Sequence, residues 1–220
     1  MNTPAREPFF GNIPVIVLGL CALIVLVSVI VLIGPQSLSN AIMAAAAVQI
    51  GPAQMPRLAG PWLPYVLHVL VHGGWLHLGM NTIGLLAFGA PVARWLQVGR
   101  GAGRGALDFL ALFVLSAIAG ALTEAAFIKL TGAPGAVLIG ASGGLMGLIG
   151  VLVRLNYGQR LVPLPLLSRP VLIAMAPWVL LNLLIALFGA PGVSAPIAWP
   201  AHLGGLFAGA ALAGLFAPKN

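Results

Sequence analysis

The amino-acid sequence predicts an all-α integral membrane protein, a bundle of six transmembrane helices, and three observations carry that prediction. Of the 220 residues, 60% are hydrophobic and 6% charged, with a mean hydropathy of +1.09, too little polar surface to cover a water-soluble globule of this size. Six apolar runs reach or approach the ~20 helical residues needed to cross a hydrocarbon core about 30 Å thick. The basic residues fall between those runs in an alternating pattern rather than in a stripe or tail, so the net charge of +7 reports topology and not nucleic-acid binding.

The first run, residues 13–33, is too long for the core of a signal peptide and is read as a retained span. Its single cysteine, Cys21, leaves no intramolecular disulfide to form. The roughly thirty residues that follow are rich in Pro, Gly and Ala; their apolar part, "NAIMAAAAVQIG", is too short to cross and is expected in the interface or against the bundle. The second run is apolar from Leu76 to Val92 except for His77, Asn81 and Thr82, and it spans if its helix starts near Val69, giving residues 69–92. The remaining spans are expected over residues 109–127, 136–153, 171–187 and 197–216. No repeat of fixed period is visible, so residues 1–220 read as a single membrane domain.

Eight of the ten basic residues, Arg6, Arg94, Arg100, Arg104, Arg154, Arg160, Arg169 and Lys219, lie on one side of this arrangement; Arg57 and Lys129 lie on the other. The positive-inside rule then puts both termini in the cytoplasm and starts spans two, four and six at the extracytoplasmic face.

Polar side chains inside spans are costly and mark candidate sites. His77 and Asn81 lie near the start of span two, Ser142 lies about six residues into span four and His202 about five into span six. At about 1.5 Å per residue the serine and the second histidine fall at a common depth, on the order of 8–10 Å below the outer end of the apolar zone. His77, Asn81 and Gly84 share one helix face, as do His202, Gly205 and Gly209, and Gly143, Gly147 and Gly150 run beside Ser142. Stripes of small residues let helix backbones approach closely, which would bring the Ser142 hydroxyl to the His202 imidazole.

Such a pair suits nucleophilic catalysis. Imidazole, with a pKa near physiological pH, is the natural base for a serine that is inert while protonated. Asn81, His77 and the Ser142 backbone N–H offer donors for an oxyanion. Asp108 lies at the cytoplasmic entrance of span three and Glu124 within it, neither in a motif linked to the histidines, so the economical reading is a Ser-His dyad. Taken singly, each residue has a plainer reading. A serine in a glycine-rich membrane helix is ordinarily packing, His77 with Asn81 an interhelical clamp, and His202 a buried ring on a backbone carbonyl. The conjunction of complementary groups on three spans at one face favours the catalytic reading.

"HGGWLHLGMN" opening the second span, "GASG" opening the fourth and "AHLGGLFAG" opening the sixth together resemble the rhomboid family of intramembrane serine proteases over most of the chain. The resemblance implies Ser142 as nucleophile, His202 as base and later acid, His77 and Asn81 as oxyanion residues, and a structural or polar-network role for His72. It implies hydrolysis of peptide bonds in or beside the membrane helices of single-span substrates, within the lipid bilayer, with no cofactor or metal. Three positions depart from the family's habit. Trp62 is followed by Leu63 and Pro64 where an arginine is common, which bears on how the first loop is anchored. Met146 stands where an aromatic ring often stacks on the catalytic histidine, and Met80 where a bulky aromatic precedes the asparagine. Methionine fills such positions adaptably, and no reacting group is lost.

Two rivals belong to other classes. A non-catalytic rhomboid-like protein would bind transmembrane helices without cutting them. A haem-binding membrane protein would use His68, His72, His77 and His202, and would be coloured when purified. Pro177 and Trp178 in span five, beside span six, suggest a lateral gate. The excess of Arg over Lys, with abundant Ala and Gly, points to the plasma membrane of a GC-rich prokaryote.

Overall fold

The protein is described by a computed structural model covering residues 13–52, 55–189 and 197–217. These residues form an almost wholly helical bundle with one pair of three-residue strands. Both ends of the chain and the segment before the sixth run, including the expected positions of Arg6 and Lys219, lie outside the described residues.

Helix α1 (Val15–Ile33) buries Val17, Leu20, Cys21, Ile24 and Ser28, a single face at helical spacing, and leaves its other side exposed. After Pro35, α2 (Gln36–Ala46) runs for 11 residues, too short to cross a membrane. Strand β1 (Val48–Ile50) then pairs antiparallel with β2 (Ala136–Leu138), Val48 opposite Leu138 and Ile50 opposite Ala136. A short helix α3 (Pro64–Leu67) and a 3₁₀ turn over His68–Leu70 lead to the second span.

That span is helical from Trp75 to Gln97, as α4 (Trp75–Gly84), a π turn (Leu85–Gly89) and α5 (Ala90–Gln97). Residues 69–74, expected within it, are turn and extended chain, with Val71 at φ −114°. Pro91 explains the π turn: it has no N–H to donate to Ala87, and the helix absorbs the missing bond by widening one turn. Helix α6 (Gly101–Thr131) is the longest at 31 residues and stops at Gly132, whose φ of 68° makes the left-handed cap a side chain would resist.

The fourth and sixth runs differ most from expectation. Residues 136–141 were expected as the opening of a helix, but they form β2 and a turn, and α7 (Ser142–Arg154) begins at the serine itself. Pro134 and Gly135 precede the strand, Gly140 takes a φ of +107°, and the edge of β1 supplies backbone partners that a helix start would otherwise have to find. After α8 (Arg169–Phe188), α9 (Trp199–Leu212) places His202 in its first turn. Among the described residues four helices, α1, the α4–α5 span, α6 and α8, are long and apolar enough to cross a membrane; α7 and α9, with 13 and 14 residues, are shorter.

The two short helices occupy the middle. A Cβ on Gly205 would run into the carbonyl of Gly143, and one on Gly209 into the backbone of Gly147, so α7 and α9 touch backbone to backbone through both stripes. Gly120 of α6 lies against the Ala201 carbonyl in the same way, at 2.5 Å from an added Cβ. At the opposite end of the bundle from Ser142, Arg100 binds Asp108 at 2.7 Å and the carbonyls of Phe216 and Ala217, while Arg104 binds the other oxygen of Asp108 at 3.0 Å. Arg154, at the end of α7, donates to Leu164 O and Ala210 O, so α6, α7 and the end of α9 are tied at one level. Helix α8 is peripheral: 17% of its apolar window is buried, against 50% for α6.

Candidate active site

The site lies where α4, α7 and α9 begin. Gly140 N–H donates to His68 O at 2.8 Å and Ala141 N–H to His72 Nε2 at 3.4 Å, which fixes the turn into α7. The His72 ring is itself oriented by Ser28 of α1. That hydroxyl has one hydrogen, given to Leu70 O at 2.9 Å, so it accepts from His72 Nδ1 at 2.9 Å and leaves Nε2 as the acceptor that Ala141 requires. The structural, polar-network role expected of His72 is thus a specific one: it spans from α1 to the residue before Ser142.

With the N–H groups of residues 140 and 141 used, Ser142 carries the first backbone N–H at this helix start with no partner among the described residues. Its side chain is half-buried and its Oγ stands 2.8 Å from His202 Nε2. His202 reaches it because the glycine contacts draw α9 onto α7 one turn further in. Glu124 of α6 accepts the N–H of Ala201 at 3.2 Å, so its carboxylate caps the start of α9 and holds the backbone beside His202 without touching the ring.

The stripe on span two faces α7. A Cβ on Gly140 would lie 2.6 Å from His77 Nε2, and one on Gly84 would lie 2.6 Å from a Leu145 methyl, so Asn81, between them on the same face, looks toward the first turn of α7. Gly73 N–H donates to His77 Nδ1 at 3.4 Å, which leaves the neutral ring's proton on Nε2, the atom nearest the chain before Ser142. His77 also meets His72 edge to face at 4.8 Å. Asn81 is buried and donates from Nδ2 to His77 O at 2.9 Å, spending one of its two amide hydrogens; its Oδ1 has no partner among the described residues.

One contact of this site involves a residue the sequence reading passed over. Asn182 of α8 is buried, and its Oδ1 lies 2.9 Å from His202 Nδ1, on the far side of the ring from Ser142. The signal was present, since Asn182 is a lone amide in an apolar span, but no neighbouring motif drew attention to it.

The residues that depart from the family habit are also placed. Met146, one turn below Ser142, is buried in a small core with Ile149, Met175 and Leu206. Met80 is 59% exposed on the outer side of α4. Trp62 is exposed and tilts against Tyr65 at 6.3 Å; the loop around it is held instead by Arg57 donating to Gln49 O at 3.2 Å and by His68 Nδ1 on Pro64 O at 3.2 Å.

A family model described as Rhomboid domain matches residues 59–219, which include every residue of the site except Ser28. No curated protein matches the chain.

Proposed function

Because the chain belongs to the rhomboid family, we propose that it is an intramembrane serine endopeptidase that cuts single-span membrane proteins in or next to their transmembrane helix, using Ser142 and His202. The observation that carries this reading is the 2.8 Å hydrogen bond between Ser142 Oγ and His202 Nε2 where α7 and α9 begin, beside the unspent Ser142 N–H. In the reaction, Ser142 Oγ attacks the scissile carbonyl as His202 takes its proton. The Ser142 N–H, the second Asn81 amide hydrogen and His77 Nε2–H are the donors for the oxyanion. His202 then protonates the departing amine, and the acyl-enzyme is hydrolysed by a water that His202 activates.

Water and lipid must both reach this site. At 1.5 Å per residue the 13 residues of α7 cover about 20 Å, some 10 Å less than a hydrocarbon core. With its inner end tied by Arg154 near the basic face, the missing length falls above Ser142, where a polar, hydrated recess would stand open to the outside. This depth supports a six-span protein with both termini cytoplasmic and cleavage near the outer leaflet, in keeping with the distribution of Arg and Lys. A substrate helix must unwind to present a carbonyl, so small or helix-breaking residues near its outer end should favour cleavage.

The deciding experiment is cleavage of a purified single-span reporter by the protein in a bilayer, alongside labelling of Ser142 by a fluorophosphonate. Cleavage and labelling are expected together. A folded protein that binds the reporter yet neither cuts it nor reacts with the probe is a helix-binding member of the family and not a protease.

Asn81→Ala should slow cleavage about 10²–10³-fold, the effect of one lost oxyanion donor, with KM nearly unchanged. An unchanged kcat in that variant would reduce Asn81 to a clamp on His77.

The route for the substrate is between α8 and the second span. Among the described residues the one ring contact across this gap is Phe88 of the π turn, edge-on to Trp178 at 5.8 Å, near the inner half of both helices. Above it Met80 and Ile83 on one side and Leu183, Leu184 and Leu187 on the other are exposed. Displacement of α8 pivoting on this contact would admit a helix. A crosslink joining the outer ends of α8 and α4 should suppress reporter cleavage at least tenfold while leaving fluorophosphonate labelling intact, since the small probe enters from water. Equal cleavage with and without the crosslink would place the entry elsewhere.

A further inference from the structure

We infer that Asn182 is a third, positioning member of the site, which holds His202 in the tautomer that can act as a base; the inference rests on the protease reading above. The hydrogen-bond pattern assigns every atom of the chain of contacts. Asn182 Nδ2 donates to Trp178 O at 2.8 Å, and a carbonyl oxygen can only accept, so the amide is oriented with Oδ1 toward the imidazole. Oδ1 is likewise only an acceptor, and it lies 2.9 Å from His202 Nδ1, so Nδ1 carries the ring proton. The neutral ring then has its lone pair on Nε2, and the hydroxyl of Ser142, 2.8 Å away, donates to it. In the opposite tautomer Nε2–H would point at the serine oxygen, and no proton could be taken from it.

The surroundings support this assignment. The buried residues of α8 are Val171, Met175 and Asn182, which with Trp178 follow one helix face, and Asn182 is the only polar side chain among the buried three. Both carboxylates among the described residues are occupied elsewhere: Glu124 on the N–H of Ala201, Asp108 on Arg100 and Arg104. A neutral amide performs the orienting half of a carboxylate's task and offers its dipole, not a full charge, to the imidazolium formed during attack. The orienting group also sits on the peripheral helix proposed to move, so displacement of α8 would release the ring and its return would reset the base.

The test compares Asn182→Leu and Asn182→Asp with the parent protein in labelling of Ser142 by the fluorophosphonate, in kcat and KM on the reporter, and in the ¹⁵N spectrum of His202. Leucine matches the volume but accepts no hydrogen bond, so labelling and kcat should fall about 10–100-fold with KM within twofold, and the Nδ1–H signal should give way to a mixture of tautomers. Aspartate keeps the acceptor in place and should retain labelling and the Nδ1–H form. Labelling of the leucine variant at the parental rate would overturn the inference. So would an Nε2–H tautomer in the unmodified protein, a measurement that needs no variant to fold. If instead the unmodified protein neither labels nor cleaves, the protease reading fails, and the spectrum still reports the tautomer on its own.

Discussion

Replacing Ser142 by alanine is expected to remove cleavage of a single-span reporter, a fall of about 10⁴–10⁶-fold in kcat, while the protein keeps its thermal stability and its affinity for the uncut substrate. The magnitude follows from losing the covalent route altogether: among the described residues the two ring nitrogens of His202 are taken by Ser142 and Asn182, and no other hydroxyl or thiol lies on the ring. Stability should hold because Ser142 Oγ is half-buried at a helix start and bonds only the histidine among the described residues, so alanine leaves neither a cavity of consequence nor a stranded backbone group. His202→Ala should fall by a similar factor, and the double variant by no more than the larger of the two, because groups that act as a unit lose their effect together. Multiplicative losses in the double variant would mean that the two residues contribute separately, and residual cleavage at the parental rate in Ser142→Ala would end the assignment.

How much of this was legible in the sequence depends on what each residue competes with. Ser142, His202, His77 and Asn81 stood out because an apolar span makes any polar side chain conspicuous, and helical spacing then says which of them share a face. The family match, over residues 59–219, spans all three of the stretches that hold them. The close contact of spans four and six was also readable, from glycines at i and i+4 on both. Helix starts were not. The residues before Ser142, "PGAVLIGAS", are apolar enough to continue a span, and only the distant pairing of Ala136–Leu138 with Val48–Ile50 turns them into a strand, so that Ser142 opens its helix instead of lying a turn and a half inside it. That shift matters chemically, because it is the helix start that leaves the Ser142 N–H unspent.

Asn182 escaped for a related reason. Its value depends on a carbonyl four residues back in its own helix and a ring on another, and neither relation has a signature in one chain. The two acids were visible, but their tasks were not: Glu124 and Asp108 act on a helix start and on arginines, contacts between segments far apart in sequence.

Gly205→Val is expected to cost at least as much activity as loss of an oxyanion donor, although glycine has no chemistry of its own. A Cβ at Gly205 would overlap the carbonyl of Gly143, and at Gly209 it would overlap the backbone of Gly147; in both cases the obstructing atoms are main chain, so no rotamer change relieves the clash. The helices must separate, and since Gly205 is one turn from His202 and Gly143 adjoins Ser142, the separation falls on the 2.8 Å bond itself. An ångström of widening takes that pair out of hydrogen-bond range, for which a loss of at least about 10²-fold in kcat is reasonable, together with a destabilisation of about 1–3 kcal/mol seen as a lower unfolding temperature in detergent. Gly19→Ala is the matched control, an exposed glycine in α1 where an added Cβ meets nothing within 4 Å. Alanine there should leave cleavage unchanged and stability equal or slightly higher, by up to about 1 kcal/mol, through the better helix propensity of alanine. If Gly205→Val cleaved normally, α7 and α9 would have to be held at their working distance by something other than the glycine stripes. Loss of activity in both variants would show only that this bundle tolerates no substitution of glycine. Loss confined to Gly205→Val would show that the distance between two backbones sets whether the serine can react.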